Sequence, residues 1–532
     1  MSAVISQSPA PPASASAWLN GPTSDLLLGC GVGYFAAFAL LTLAGTQVEA
    51  ALPLGLIPLV LLFLSIPHYG ATLLRVYEKA ENRNKYQIFA IHLTALVWIA
   101  FAVGVHNALV GSLLITLYLT WSPWHYSGQN YGISLMFLGR RGVQIPLVAK
   151  RLLYTSFILT FLLTFLELHA AIYNPVIALG QVDNVHYQVM PLGIPMAVAN
   201  PLIVVIGLAY VISLGGAAYL MLRVTSWRNL VPTALLAASQ ALWFVVPMFA
   251  YHLDLLQNVF PLAREKSGYA FFWIAMAHAV QYLWITTYFA KRSEQRMPAE
   301  YLFKCLLAGA IIWVAPALLF SPAAFGRLSF DQGLSGLVAA AVNVHHFMLD
   351  GAIWKLRDGR IAKILLRSST GVAGAISQGA GGFARFARAG FLVAGLSAVL
   401  VNYFGTIEEH FGFSRAATAS NVERAKLAVD RLSWMGRDSP RMREKLGQLH
   451  SAAGDFKAAE QQFDRAVAME ESVPLLNELA QAQYQGGALE SAIRTAERSR
   501  QLAADSGQQA EADRIGAAIE RLRSTTASAP PP

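Results

Sequence analysis

Twelve histidines occur in the chain, and six fall inside apolar runs long enough to cross a bilayer. They are His68, His92, His125, His278 and the adjacent pair His345 and His346. An ionisable group in a membrane span is costly and usually lines a functional cavity. Counted from the nearest basic residue (Arg75, Lys85, Arg140, Lys291 and Lys355), the six lie seven to fifteen residues deep. That is roughly 10–22 Å at about 1.5 Å rise per residue. Six imidazoles on five helices at a common depth point to a shared site. Neutral imidazoles with few carboxylates suit iron, copper or zinc. Helical spacing adds polar neighbours. Gln129 follows His125 by four residues, Gln281 follows His278 by three, and Asp350 follows His346 by four. Each pair shares a helix face, so these groups can hold the second ring N–H of a metal-bound imidazole. Trp121, Trp124, Tyr131, Tyr282 and Trp354 surround them, either as site walls or as an interfacial aromatic belt.

The elements that carry these residues follow from hydropathy. Of 532 residues, 55% are hydrophobic and 13% charged. A soluble domain is about one quarter charged, and this much charge cannot cover a water-soluble surface. The first 400 residues are mostly apolar runs and the last 120 are polar, so two domains of different solvent class follow. Spans of about 20 residues are predicted near 24–45, 51–72, 86–105, 108–137, 147–167, 194–222, 229–250, 268–290, 303–320, 333–354 and 388–404. The fold class is therefore all-α: a transmembrane bundle of about eleven spans followed by a small helical domain. The net charge of +9 does not indicate nucleic-acid binding, because the basic residues sit in short clusters between spans. Cys30 and Cys305 lie in or beside apolar runs and read as packing residues.

Those basic clusters set the orientation. Arg75, Lys79, Arg83 and Lys85 follow the second predicted span, and Arg140, Arg141, Lys150 and Arg151 the fourth. Arg223 and Arg228 follow the sixth, Lys291, Arg292 and Arg296 the eighth, and Lys355, Arg357, Arg360 and Lys363 the tenth. The alternate loops are nearly free of Lys and Arg. By the positive-inside rule the N-terminus is cytoplasmic, in a plasma or inner membrane, and the C-terminal domain lies on the opposite side. Residues 1–22, rich in Ser, Ala and Pro, read as a disordered tail, and 23–408 as the membrane domain. Residues 365–387, small and carrying Arg367 and Arg385, read as an interfacial connection. Residues 409–416 read as a linker, 417–523 as helical repeats, and 524–532 as a second tail.

The polar region repeats. Leu446-Gly447, Gly454, Ala459, Phe463 and Ala466 recur as Leu479-Ala480, Gly487, Ala492 and Ala496, 33 positions later, against about 34 in the tetratricopeptide consensus. Ala425, Val429 and Leu432 mark a degenerate earlier copy. Residues 417–510 thus resemble the tetratricopeptide (TPR) family. That resemblance implies stacked helical hairpins and a protein partner.

The membrane part carries a second resemblance. Ile66-Pro67-His68-Tyr69-Gly70 looks like the PHG signature of the Brp/Blh carotenoid dioxygenases, and Trp124-His125-Tyr126 with Gln129 like their WHFGxxD segment. Trp273 to Tyr282 is similar to their later histidine helix, and Val344 to Leu349 to their final PHxL-like one. Tyr282 and Gln129 depart from that pattern, standing where the family has a histidine and an acidic residue. The resemblance implies a histidine-ligated non-haem iron and a lipid-soluble, carotenoid-like substrate. The expectation is a metal-dependent membrane oxygenase. Its ligands would be His68, His125, His278 and one of His345 and His346, with His92 next, oriented by Gln129, Gln281, Asp350 and Tyr282. Two other classes stay open: a protein holding haem b between paired histidines, and a non-enzymatic scaffold or transporter whose repeats recruit a partner.

Overall fold

The computed structural model describes residues 16–171, 181–182, 185–263, 266–354, 361, 364–366 and 382–527. Among the described residues the secondary structure is helical apart from one two-residue strand pair, β1 (Gln181–Val182) with β2 (Val185–His186). Nine helices among the described residues are long and apolar enough to cross a membrane. They are α1 (Val32–Ala51), α2 (Leu54–Tyr77), α3 (Ile88–His106), α5 (Leu147–His169), α6 (Met196–Leu222), α7 (Trp227–Ala250), α9 (Pro298–Leu319), α10 (Phe330–Ile353) and α11 (Arg385–Thr418). Two more helices, α4 (Ala108–Arg140) and α8 (Ser267–Glu294), are long enough to cross as well. Their lower hydropathy comes from the buried polar residues they carry, Gln281 and His278 among them.

Four of the expected boundaries need correction. The first long helix begins at Val32, because Gly31 takes φ +89° and separates it from the short turns over 22–29. Residues 16–22 are packed rather than disordered: Leu19 is buried, and Arg140 donates to the carbonyls of Ser16 and Trp18. The expected linker 409–416 is helical, since α11 continues through a π turn over Glu408–Ser414. Residues 524–527 belong to the last helix, Gln509–Ala527. Residues 1–15, 367–381 and 528–532 lie outside the described residues, and with them most of the connection expected at 365–387.

Small residues set the approach of α2 to α9. A Cβ on Gly70 would collide with the carbonyl of Cys305, and one on Gly309 with the carbonyl of Ile66. Without side chains there, the two backbones touch. Glycine is used in this way where water supplies no force between helices. The contact fixes the turn of α2 that carries His68. Cys305 and Cys30 are buried free thiols.

The polar region forms antiparallel helices: α12 (Val422–Trp434), α13 (Pro440–Ala452), α14 (Phe456–Met469), α15 (Val473–Gln485), α16 (Leu489–Asp505) and α17 (Gln509–Ala527). Side chains of Ser439, Asp455 and Ser472 cap the starts of α13, α14 and α15, and each cap contributes about 1 kcal/mol. Phe463 packs on Gly447, where a Cβ would strike its ring. The region seats on the bundle through Arg437, which lies over the Phe330 ring and pairs with Glu409, and through Gln332, which donates to Glu470. It therefore meets the first turn of α10, whereas residues 16–19 sit by Leu365, beyond the last turn of α10. The two segments lie at opposite ends of the bundle.

Candidate metal centre

Four of the six histidines converge. His68 from α2, His125 from α4, His278 from α8 and His346 from α10 meet in the bundle interior. Ring centroids are 4.6 Å apart for His68 and His346, 4.9 Å for His125 and His278, 5.0 Å for His125 and His346, and 5.5 Å for His68 and His278. Ligand nitrogens of His68, His278 and His346 lie within 4.8 Å of one another, as do ligand atoms of His125, His346 and Asp350.

Local sequence explains the aim of each ring. Pro67 stands at the start of a helical turn, and the Nδ1–H of His68 donates to the Ser65 carbonyl at 2.5 Å. That tautomer leaves Nε2 of His68 as a bare lone pair. His346 Nδ1 meets the hydroxyl of Thr72 at 3.0 Å, and Thr72 itself donates to Asp350 at 2.8 Å. Nδ1–H of His346 is then the donor to Thr72, and its Nε2 is also a lone pair, 3.7 Å from Asp350 Oδ2. Tyr282 and Trp354 complete this corner: Tyr282 donates to Asp350 at 2.6 Å and accepts from the Trp354 indole at 2.9 Å. His278 is stacked on Tyr126 at 4.1 Å, and His125 on Phe347 at 4.5 Å. Gln129 donates to the side chain of Gln281, which in turn donates to the Gly29 carbonyl.

Within the cluster, His278 Nδ1 and His346 Nε2 have no hydrogen-bond partner among the described residues. Each such group costs about 1–3 kcal/mol if left unsatisfied. Nε2 of His125 and Nε2 of His278 are 3.2 Å apart. Two ligands at about 2.0–2.1 Å from one ion are separated by roughly 2.9 Å at a right angle and roughly 3.4 Å at the tetrahedral angle. The observed spacing falls between these limits.

His345 and His92 are placed elsewhere. One residue of helix turns a side chain by about 100°, so His345 faces away from His346. Its Nε2 meets Thr94 at 3.0 Å and Tyr77 at 3.3 Å. His92 is exposed on α3. Sequence reasoning also missed Thr72, although it follows His68 by one full turn and that spacing was the available signal. Nothing in the sequence indicates the Gly29 carbonyl or the stacking of Tyr126.

A cavity of about 300 Å³ adjoins the cluster, lined among others by His125, Asp350, Phe347 and Trp354. That is the small end of ligand-sized pockets, about 300–1,000 Å³. Comparison with protein-family models, curated proteins and solved structures finds no match to the chain.

Proposed function

We propose that the chain is an integral membrane protein of eleven spans in which His68, His125, His278 and His346 bind one non-haem iron ion. Its work is the oxidation of a lipid-soluble substrate by dioxygen. The observation that carries the reading is the convergence of four imidazoles from four helices, with Nε2 of His346 unpartnered among the described residues and Nε2 of His125 and His278 at 3.2 Å. Bound iron would supply the redox chemistry. The protein's own part is to hold the ring tautomers through Ser65 and Thr72 and to place a cavity beside the centre. The 3.2 Å spacing of the His125 and His278 nitrogens favours a small ion over haem, whose axial nitrogens stand about 4 Å apart when each bond is near 2.0 Å. The order of the histidine segments along the chain, similar to that of the Brp/Blh dioxygenases, supports the same reading.

The test is metal analysis with an absorption spectrum of protein purified in detergent without chelators. About one iron per chain and no Soret band are expected. Protein free of transition metal overturns the reading, and a Soret band replaces it with haem.

The polar region reads as tetratricopeptide repeats that recruit a protein partner. With α4 and α8 counted as spans, eleven crossings from a cytoplasmic N-terminus put these repeats across the membrane. Their seat at the opposite end of the bundle from residues 16–19 supports this. An export-dependent phosphatase fused after Pro532 is expected to be active; activity only from a cytoplasm-dependent reporter overturns the topology.

A further inference from the structure

The cavity beside the histidines follows one helix. Trp121, Trp124, His125, Gly128, Gln129, Gly132, Ile133 and Met136 of α4 all line it, and their three- and four-residue spacing makes a single stripe. Fifteen residues of helix extend that stripe over roughly 22 Å. About 300 Å³ distributed over such a length leaves the width of one slender molecule. At Gly128, Gly132 and Gly351 an added Cβ would meet no atom within 4 Å, so the missing side chains make the space. Asp350 is the one charged side chain among the described lining residues, and it sits at the histidine end.

The cavity opens sideways. Leu109, Leu113, Leu117 and Trp124 are exposed on α4, and their spacing marks the face that lipid must cover. Gly128, also exposed, follows Trp124 by four residues and continues that face. Gly351, exposed on α10, is on the cavity's other wall. The inner ends are closed by buried Met136, Ile361 and Leu365.

Building on the iron-oxygenase reading, we propose that the occupant is a single long hydrocarbon chain. It passes sideways from the bilayer between α4 and α10, over Gly128 and Gly351, and lies along α4 with one segment beside His125. A chain already dissolved in the bilayer reaches such an opening without crossing water. A flat groove wall of glycine and aromatic rings accepts a slender chain and rejects a broad ring system. The chain can belong to a free fatty acid or to a phospholipid, and the two are separable by experiment.

Full-length protein in lipid nanodiscs is titrated with tritiated stearic acid and, separately, with a phosphatidylcholine carrying a spin label on its acyl chain; cholesterol is the broad-ring competitor. Metal content is measured on the same samples. Wild-type protein is expected to bind about one chain. Gly128→Leu and Gly132→Leu are expected to weaken binding at least tenfold with metal content unchanged. Gly215→Leu, at an open glycine on α6 away from the groove, is expected to bind as wild type. Binding of only stearic acid assigns a free acid, and binding of the labelled lipid assigns a phospholipid chain. Equal affinity in the two groove variants and wild type overturns the proposal, as does competition by cholesterol as strong as by unlabelled stearate. Chain binding by protein without metal sustains the groove and removes the oxygenase reading instead.

Discussion

Arg443 in the polar helical region and His346 in the bundle are both about 2% exposed, yet the protein treats them in opposite ways. Arg443 is complete. Its Nε and Nη2 reach the two oxygens of Asp438 at 2.8 and 2.7 Å, and its Nη1 donates to Gln462 at 2.8 Å. His346 has its Nδ1 satisfied by Thr72 and its Nε2 without a hydrogen-bond partner among the described residues; His278 has its Nε2 beside that of His125 and its Nδ1 unpartnered there. A buried polar group whose bonding is finished within the chain is there to hold the fold. One left unfinished, in company with three converging histidines, is what the proposed metal site rests on. Removing a residue from either region should therefore fail differently.

The largest contrast is expected at the proposed ligands. His278→Ala and His346→Ala should weaken metal retention by more than about 100-fold, since losing a ligand exceeds the 10–100-fold effect of losing a supporting partner. The variants should still insert and fold, because the rest of the bundle is unchanged. His345→Ala and His92→Ala should keep their metal. Metal content of each purified variant checks this, and equal content in all four would break the comparison from the histidine side.

Arg443→Ala comes next. Breaking a buried ion pair leaves an uncompensated charge and costs about 3–5 kcal/mol. Hydrogen exchange in α13 and α14 of the full-length protein should accelerate accordingly, while metal content stays at the wild-type level. Loss of metal in this variant would show that the two regions do not fail independently.

Thr72→Val keeps the shape of the side chain and removes the hydroxyl that orients His346. Metal affinity should fall about 10–100-fold, and Thr72→Ser should restore most of it. Competition against a chelator of known strength reads both. An affinity unchanged in the valine variant would mean that Thr72 only fills space.

The smallest effect concerns the seam between the regions. Burial pushes the Glu470 carboxyl above the usual carboxylate range; Arg441 opposes this, and Asp331 and Glu444 add to it. A carboxyl raised in the folded state favours the protonated form there. The seam should therefore strengthen as pH falls from neutral towards that raised value, with the gain levelling off below the ordinary carboxylate pKa. Between pH 7 and 5 the unfolding temperature of the repeats should rise by about 1–2 °C. Glu470→Gln should flatten that slope, which differential scanning calorimetry can follow.

The sequence by itself determined the long apolar runs, the 33-residue spacing and the separation of each histidine from its nearest basic residue, because these are local quantities. Hydropathy fixes which runs can leave water, and a 3.6-residue period fixes which neighbours share a face. The predicted runs 108–137 and 268–290 match α4 and α8 although polar residues dilute both. Local rules also paired His346 with Asp350 one turn on. They could not choose between His345 and His346, since adjacent residues face different neighbours and only the positions of α2, α3 and α4 around α10 decide which side is the interior. For the same reason His92, as close to a basic residue as His68, faced outward. The tertiary structure also decided that residues 16–30 fold back into the bundle, where the Gly29 carbonyl braces Gln281. A backbone carbonyl has no side-chain signature, so sequence alone gives no warning of it. Spacing along a helix is written in the chain; rotation of one helix against another is set by packing, and here glycine contacts such as Gly70 on Cys305 set it.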